Sequence, residues 1–348
     1  MFKFDFSPSP SDESENGKKV ETDKMIIKKL QEREQMSAQS CKVLDVSSTV
    51  DVGDKTQQTF LHGHVDLHSS TMDGLHYILP QHTTRLPEKN TDLIPGVYEG
   101  GLKVWECSVD LCRFLAQTLD EVILTTKSSD DLQYVRDAVT RSIGDGGSTL
   151  ELGCGHGLPA CLLLRESVRR RCKQSAIVFS DFNDFVLRDV TTPNARLNIS
   201  GLCDQQGDAS DVDPTTEAMR KRSVFVGGDW MGLSHKLSNS ELLLPDRVVN
   251  DRFDIILASE TTYTNDSCQD TAYLMMKHLK VGTGVGLVAT KRFYFGVGGG
   301  ADSFNQAALI MSDCHESSGL RLVVRTIQSY DTGNANIRDL LEVRLVNK

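Results

Sequence analysis

The chain has 348 residues, 39% of them hydrophobic and 25% charged, which is enough to bury at least one large core. Its 48 acidic and 38 basic residues give a net charge of -10, which argues against a protein that wraps nucleic acid. No apolar run approaches the roughly 20 residues of a membrane span, no secretory signal is visible, and nine cysteines without a CxxC pair fit neither a disulfide framework nor a zinc ribbon. These features predict an intracellular protein in a reducing environment.

The first 60 residues form a distinct, highly charged stretch. They contain 18 apolar and 20 charged residues, with Ser and Pro crowded between positions 7 and 14. Such a composition buries too little apolar surface to offset the entropy of ordering the chain, so residues 1–60 are expected to be a largely disordered extension. A helical reading of residues 22–38 brings Met25, Ile26, Lys29 and Leu30 together, which allows a short amphipathic helix that docks on a partner or on the main domain.

Residues 61–97 form a lead-in segment that is rich in histidine. Imidazoles are common zinc ligands, but no Cys pair and no HExxH motif completes a ligand set, so scattered surface histidines are the favoured interpretation. The histidines concerned are His62, His64, His68, His76 and His82.

From residue 98 to residue 348 the pattern becomes regular and predicts one α/β domain. Leucines at i, i+4 spacing predict a helix over 108–120. Seven short apolar or β-branched runs predict strands at 148–153, 176–181, 223–229, 253–260, 284–291, 320–327 and 340–346. The first five are separated by crossover-length segments and should be parallel, with helices on both faces of the sheet. The last two are joined by the short polar stretch 329–338 and should form an antiparallel hairpin. The long connections 203–222 and 233–252 read as surface insertions.

The first of these strands runs into a glycine-rich turn. Glu151 is followed by Gly153, Gly155 and Gly157, and glycines let the backbone turn sharply and approach a ligand closely. A dinucleotide fingerprint would need Gly or Ala at position 158, where Leu158 stands, and pyrophosphate would sit poorly beside a carboxylate. The turn instead resembles motif I of class I S-adenosylmethionine-dependent methyltransferases, and this resemblance implies that the carboxylate at the strand end matches the ammonium or sulfonium end of the ligand.

Three further strand ends carry candidate site residues. Asp181 is placed to hold a ribose hydroxyl pair, which is the favoured interpretation, and the alternative is that it caps the next helix. Asp229 could accept the adenine amino hydrogen beside the apolar plate of Trp230, or both could be ordinary edge packing. Glu260 and Tyr263 follow the fourth strand and are the catalytic candidates, since ligands of open α/β sheets bind beyond this edge. The alternative for Glu260 is an acid stabilised by a helix N-terminus.

Several stretches together resemble the methyltransferase-like family that modifies protein Lys and His side chains. They are residues 151–157, 181–183, 190–194, 228–230 and 259–263. Two more stretches, 93–107 and 294–300, are similar to the histidine protein methyltransferases that act on a large-subunit ribosomal protein. The resemblance covers roughly residues 90–348 and implies a seven-stranded Rossmann-like class I methyltransferase sheet of five parallel strands and a C-terminal antiparallel hairpin.

The resemblance also implies where S-adenosylmethionine binds. Together with Glu151 and Gly155 of the turn, the implied contacts are Val104, Trp105, Glu106, Cys107, Ser108, Gly153, Asp181, Phe182, Asn183, Gly228, Asp229, Trp230 and Ser259. No metal is expected. The implied partner is a ribosomal protein substrate rather than nucleic acid or a membrane, and a monomer in the cytoplasm and nucleus, including the nucleolus, is expected.

The expected reaction is methyl transfer to a histidine ring nitrogen. A histidine with a pKa near 6.5 is largely neutral at pH 7, so no strong base is required. What must be fixed is the tautomer, and an acceptor for the other ring N–H would do this. Glu260 or Tyr263 is the predicted acceptor, with the 296–300 loop folding over the substrate. The alternatives are a lysine-directed methyltransferase of the same fold and a non-catalytic ribosome-assembly protein; an NAD-dependent oxidoreductase is disfavoured by Leu158.

Overall fold

The structure is a computed structural model, and it describes residues 10–45, 61–79, 94, 97–124, 130–203, 213–314, 318–333 and 336–348. The strands are β1 (Lys42–Leu44), β2 (Leu61–Val65), β3 (Leu75–Leu79), β4 (Ser148–Leu152), β5 (Ala176–Asp181), β6 (Ser223–Gly227), β7 (Leu243–Leu244), β8 (Arg247–Val248), β9 (Ile255–Ser259), β10 (Val285–Lys291), β11 (Leu320–Tyr330) and β12 (Arg338–Asn347). The helices are α1 (Pro10–Met36), α2 (Glu106–Leu124), α3 (Gln133–Ser142), α4 (Leu158–Arg169), α5 (Asp184–Val186), α6 (Thr192–Ile199), α7 (Pro214–Arg222), α8 (Trp230–Ser238), α9 (Asn265–His278) and α10 (Ala301–Cys314).

An eight-stranded sheet organises the molecule, in the order β1-β6-β5-β4-β9-β10-β12-β11. Strands β6, β5, β4, β9 and β10 run parallel, and β12 lies antiparallel between β10 and β11. The predicted sheet of five parallel strands closed by an antiparallel hairpin is therefore confirmed, with β1 as an eighth strand at its edge. Its chain order reverses between β4 and β9, which places the carboxyl ends of these two strands beside each other at the switch point where open α/β sheets bind ligands.

Two hydrophobic cores lie on opposite faces of the sheet. In β9, Ile255 and Leu257 face the core that contains the buried sides of α2, α3, α4 and α6, whereas Ile256 and Ala258 face the core shared with α8, α9 and α10. Successive side chains of a strand point to opposite faces, so a strand covered on both sides reads as an unbroken apolar run. This is why the central strands could be located from sequence to within one or two residues.

The N-terminal extension differs from the expectation of disorder over residues 10–45. Helix α1 lies against α8 and α10, with Ile27 and Leu30 buried in the second core. Strand β1 then pairs antiparallel with β6 at the edge of the sheet. The buried face of α1 is also displaced from the predicted one, since Met25 is 67% exposed. Residues 1–9 and 46–60 lie outside the described residues, and the predicted domain division remains a prediction.

The lead-in segment contains a hairpin that the sequence analysis did not predict. Strands β2 and β3 pair antiparallel, and Val65, Leu67 and Leu75 are buried in the first core. The two arginines Arg113 and Arg165 hold the connecting loop by donating to its backbone carbonyls. The imidazole rings of His64 and His76 lie 4.9 Å apart. In the described part of the chain, no group of three or more His, Cys, Asp or Glu side chains is arranged to hold a metal ion.

The two predicted surface insertions are partly core elements. The connection 203–222 contains α7, whose Met219 is buried, and 233–252 contains most of α8 and the β7–β8 hairpin. Leu242, Leu244 and Val249 are buried there. The second connection holds the short apolar runs 242–244 and 248–249, which a reading that looked for strands of the main sheet missed because polar residues and Pro245 flank them. All nine cysteines are free thiols. No helix within the described ranges has the length and apolar character to cross a bilayer.

Candidate functional site

The glycine-rich turn between β4 and α4 provides the floor of the candidate site. Gly153, Gly155 and Gly157 all have left-handed backbone angles, with φ of 57°, 50° and 68°. A β-carbon at Gly157 would lie 2.7 Å from Thr191, and one at Gly153 would lie 3.0 Å from Thr261 and 3.3 Å from Trp230. Glycine is therefore needed both for the turn itself and for its close packing against neighbouring elements.

Asp181, at the carboxyl end of β5, is tied to this turn. Its carboxylate accepts from the backbone N–H of Gly155 at 2.9 Å and from that of Asn183 at 3.0 Å. The side chain is buried, and burial raises the pKa of Asp181 to about 6. Each oxygen retains a second lone pair, so the carboxylate can still accept from a hydroxyl of a ligand. Its position fits the predicted ribose contact.

Asp229 and Trp230 follow β6 and begin α8. Asp229 is the N-cap residue, and its Oδ1 accepts from the backbone N–H of Met231 at 2.6 Å. Asp229 and Trp230 also line a cavity, so the predicted ligand contact is compatible with the position of Asp229, although its structural role is helix capping and not the edge packing considered as the alternative. Gly228 has a φ of 126°, which lets the chain turn directly from the strand into this loop.

Glu260 follows β9 and has an unusual environment. Its φ of 54° lies in the left-handed region, which is strained for a residue with a β-carbon. One carboxylate oxygen, Oε2, accepts from the Tyr294 hydroxyl at 2.5 Å and lies 3.7 Å from Nζ of Lys291. The other oxygen, Oε1, is buried and accepts no hydrogen bond of normal length, although the Cys107 thiol interacts with the same carboxylate. Glu260 thus presents one fixed oxygen and one acceptor that is available to a ligand.

Tyr263 reaches a different acid. Its hydroxyl donates to Glu99, which the sequence analysis did not single out. Burial, followed by this contact with Glu99, raises the pKa of Tyr263 far above its usual range. Asn183 fixes Glu99 in turn, because its side chain accepts from the Glu99 backbone N–H at 3.1 Å and donates to the Val97 carbonyl at 2.8 Å. Residues 97–99 are therefore tied to the ends of β5 and β9 at the site.

These elements surround one cavity of about 230 Å3. The residues that line it are Glu99, Gly153, Asp181, Phe182, Gly228, Asp229, Trp230, Glu260, Thr261, Tyr263, Thr264, Asp266, Ser267 and Asp270. A smaller cavity of about 40 Å3 shares Glu99, Gly153, Asp181 and Glu260 with it. It adds the predicted residues Val104, Trp105, Ser108, Gly155 and Ser259. Thirteen predicted site residues therefore meet at this edge of the sheet.

Four predicted cofactor contacts line neither of these two cavities. Asn183 has the bracing role given above. Glu106 is exposed and lies 3.6 Å from Arg338. Cys107 is buried behind Glu260, and its pKa is raised by burial and by that carboxylate. Glu151 is buried, its Oε2 accepts from the Ala160 backbone N–H at 3.0 Å, and burial raises its pKa to about 8. Glu151 thus holds the start of α4, and its contact with a cofactor remains a prediction.

The sequence analysis missed three residues that shape the site. Glu99 and Tyr294 stand inside the two stretches that carry the resemblance, so their motif context was the available signal. Asp270, on α9, had no such signal, because it is an ordinary acid in a helix. Its pKa is raised by burial, an effect opposed by the neighbouring Arg33.

The charged groups that line the larger cavity are all acidic among the described residues. Of the described residues that line it, six carry carboxyl groups and none carries a basic group. The six are Glu99, Asp181, Asp229, Glu260, Asp266 and Asp270. Such a lining favours a ligand with positive charge, and it disfavours a pyrophosphate.

No family model matches the chain, but several characterised proteins are similar in sequence. It is 32% identical over 255 residues to histidine protein methyltransferase 1 homolog of Dictyostelium discoideum, an alignment that covers 73% of this chain and 60% of that protein. It is 34% identical over 229 residues to histidine protein methyltransferase 1 of Schizosaccharomyces pombe, covering 62% of this chain and 58% of the relative. The homolog of Bos taurus is 33% identical over 225 residues, covering 62% and 50%.

Among solved structures, an O-methyltransferase from Bacillus cereus in complex with SAH is 12% identical, covers 70% of this chain and 92% of its own, and has a TM-score of 0.36. The chain spans 50–60% of the length of the three sequence relatives above. The resemblance predicted from the motifs is confirmed: the chain is a sequence relative of the histidine protein methyltransferase 1 proteins.

Proposed function

We propose that this chain is an S-adenosylmethionine-dependent protein-histidine N-methyltransferase that acts on a histidine of a large-subunit ribosomal protein. The observation that carries the proposal is the meeting of Gly153, Asp181, Asp229 and Glu260 around one acidic cavity at the switch point of the sheet. The names of the relatives support the histidine specificity. The ribosomal substrate rests on the resemblance of residues 93–107 and 294–300.

The lining of the cavity fits the proposed cofactor. Asp181 offers carboxylate lone pairs to ribose hydroxyls, and Phe182 and Trp230 offer apolar surfaces to a base. The six carboxyl groups suit a ligand that carries a sulfonium and an ammonium. When bound, S-adenosylmethionine supplies an electrophilic methyl group on sulfur. The protein then has to align the acceptor and exclude water, since an in-line displacement gains most from orientation.

Glu260 is the residue best placed to orient the acceptor imidazole. Its Oε1 is buried and accepts no hydrogen bond of normal length, while Tyr294 and Lys291 hold Oε2 in place. An imidazole N–H that donates to Oε1 would leave the other ring nitrogen unprotonated and able to attack the methyl carbon. The carboxylate would also stabilise the positive charge that develops on the ring, and it can accept the ring proton afterwards.

Tyr263 is less suited to that role. Its hydroxyl donates to Glu99 and its raised pKa keeps the phenol protonated, so its oxygen is a neutral acceptor that cannot offset the positive charge of the methylated ring. We therefore assign it to the cavity wall, where the Tyr263–Glu99 contact holds residues 97–99 beside the site.

The protein substrate is proposed to enter past the loop between β10 and α10. An open groove of about 560 Å3 lies there, lined by residues 292–299 with Asp302 and Ser303. Phe295 is 78% exposed and Phe293 is 50% exposed, which is unusual for large aromatic side chains. Gly296 has a φ of 79° and Gly298 a φ of 92°, so the loop can pass close to a substrate backbone.

The deciding experiment incubates the purified chain with isotopically labelled S-adenosylmethionine and large-subunit ribosomal proteins. Mass spectrometry is expected to find label on a single histidine. The rate should reach a plateau above about pH 7, because a free imidazole is neutral there. Label on lysine, with a rate that keeps rising toward the lysine pKa near 10.4, would instead establish the lysine-directed alternative. Binding of the cofactor without transfer to any ribosomal protein would contradict the proposed activity.

The proposed substrate also suggests where the protein acts in the cell and in which oligomeric state. The enzyme would meet newly made ribosomal proteins in the cytoplasm and nucleus, including the nucleolus, and act as a monomer without binding nucleic acid. Sedimentation of the purified chain and fractionation of cells test these two points, and a chain that is found only on membranes would contradict them.

A further inference from the structure

The last turn of α1 lies directly behind the wall of the acidic cavity. The Arg33 guanidinium donates from Nη1 to Oδ1 of Asp270 at 2.8 Å and from Nη2 to Oδ2 at 3.0 Å. The same Nη2 lies 3.5 Å from Oδ2 of Asp229. Both carboxylates line the cavity. One guanidinium therefore links two of its acids, from two different helices.

The chain that follows α1 packs against the same loop. The Cys41 thiol donates to the Asp229 carbonyl at 2.9 Å. A β-carbon at Gly228 would lie 2.6 Å from the Ser40 carbonyl oxygen, and one at Gly232 would lie 2.5 Å from that of Ser37. The loop that carries Asp229 and Trp230 is thus enclosed by the N-terminal segment on the side away from the cavity.

Helix α1 is anchored independently of Arg33. The neighbouring Glu34 is buried and accepts from the Ser234 hydroxyl at 2.8 Å and from the Tyr273 hydroxyl at 2.7 Å. Lys277 forms a third contact with it. Ile27 and Leu30 add apolar burial. A substitution at Arg33 alone should therefore leave the helix docked, which makes the role of this side chain testable.

We propose that Arg33 is a positioning residue of the cofactor site. Asp229 is held on one side by the Met231 N–H at Oδ1 and on the other by Arg33 at Oδ2, so its carboxylate has one fixed orientation toward the adenosyl part of the ligand. Without the guanidinium, Oδ2 of Asp229 loses its contact with Arg33, and the carboxylate is no longer fixed in this orientation. This inference rests on the proposed function, since it assigns a residue to the same site.

If Arg33 acted only through its positive charge, the opposite change in affinity for S-adenosylmethionine would be expected. Arg33 is a cation near a site for a cationic ligand, so if it acted only through its charge, its removal would strengthen binding of S-adenosylmethionine and leave binding of the neutral-sulfur product S-adenosylhomocysteine less affected. If Arg33 positions Asp229, its removal weakens binding of both ligands equally. The two mechanisms therefore predict opposite changes in the affinity for S-adenosylmethionine.

The test is calorimetric titration of the full chain with each ligand. Arg33→Met is expected to weaken both affinities about tenfold, as for loss of a charge-assisted contact, with kcat at saturating cofactor within about twofold of wild type. Arg33→Lys should behave like Arg33→Met, because a single ammonium group cannot make a bidentate contact with Asp270 and also reach Asp229. Lys28→Met is the matched control on the same helix, since Lys28 is exposed beside Glu32, and it should bind like wild type.

The double variant Arg33→Met with Asp270→Asn removes both partners of the ion pair. Its affinity should stay low, because Oδ2 of Asp229 still lacks its contact with Arg33. Wild-type affinity in Arg33→Met, in Arg33→Lys or in the double variant would overturn the proposal. Melting temperatures without ligand verify that each variant is folded. A wild-type chain that binds neither ligand would refute the proposed function itself, which is a separate result.

Discussion

Glu260 combines backbone strain with an unsatisfied buried oxygen. A left-handed conformation costs a non-glycine residue on the order of 1 kcal/mol or more, and here the Ala289 carbonyl accepts the Glu260 N–H at 2.9 Å to hold it. Strain of this kind persists where the surrounding structure fixes a residue for another purpose. The free acceptor capacity of Oε1 is consistent with a ligand contact as that purpose.

Replacement of Glu260 by Gln should lower kcat about 100-fold, in the range of a lost acid–base group. The amide keeps the size of the side chain but loses the charge that stabilises the methylated ring. Cofactor affinity should change less than about twofold. Asp266→Asn, a substitution of another acid on the same cavity, serves as the control and should retain turnover. Equal losses in both variants would argue that only the overall charge of the cavity matters.

Glu151 should make stability depend on pH in a specific direction. Its pKa in the folded chain is about 8, raised by burial from an ordinary value of 4.5. A carboxyl group with a raised folded pKa contributes fully below about pH 4.5, and this contribution is lost as the pH rises toward 8. Glu151→Gln removes the titration, so the variant should gain in melting temperature over wild type between pH 5 and pH 8, by roughly 2–4 °C for each kcal/mol relieved. A constant difference across this range would mean that Glu151 is not protonated in the fold.

Among single residues, those that end the predicted parallel strands could be assigned from sequence. Asp181, Asp229 and Glu260 follow apolar runs, and the rules of open α/β sheets place such residues together. The partners of these acids could not be found in the same way. Lys291 and Arg33 reach the site because of the strand order and the docking of α1, which no local pattern encodes, whereas Tyr294 was signalled only by the stretch 294–300 that carries the resemblance.

At the level of elements, α1 shows why composition misjudged the N-terminal extension. Its charged residues were counted as solvated, yet Arg33 pairs with Asp270 across 237 positions of sequence, and Glu34 is buried with partners on α8 and α9. Charged groups that are paired and hydrogen-bonded can be buried at much lower cost than isolated ones. The apolar content of residues 1–60 is indeed low. The residues that bind this segment and pair with its charged groups lie in the rest of the chain.

The loop between β10 and α10 carries a prediction of its own. Phe295→Ala should raise KM for the protein substrate several-fold, because truncation of an exposed aromatic anchor commonly costs about 1–2 kcal/mol of binding. Turnover at saturating substrate and cofactor affinity should stay near wild type. Leu309→Ala removes another exposed apolar side chain, on α10, and is the comparison. Unchanged KM for the Phe295 variant would place the substrate path elsewhere.

On the scale of the whole molecule, charge is distributed so as to favour a basic partner. The chain carries a net charge of -10, and the larger cavity is lined by carboxyl groups without basic ones among the described residues. KM for a basic protein substrate should therefore rise with ionic strength between about 50 and 200 mM, as the Debye length falls below about 10 Å. Cofactor affinity, set by buried contacts, should change less. A salt-independent KM would indicate that apolar contacts dominate docking.

The pairing of β1 with β6 has a practical consequence for shortened versions of the protein. A chain that begins after residue 45 would leave β6, with the buried Val224 and Val226, as an uncovered border strand with free N–H and C=O groups. Such a strand is a template for adding strands from other molecules. We expect the shortened chain to self-associate in light scattering while the full chain does not, so the N-terminal segment keeps the molecule dispersed in solution.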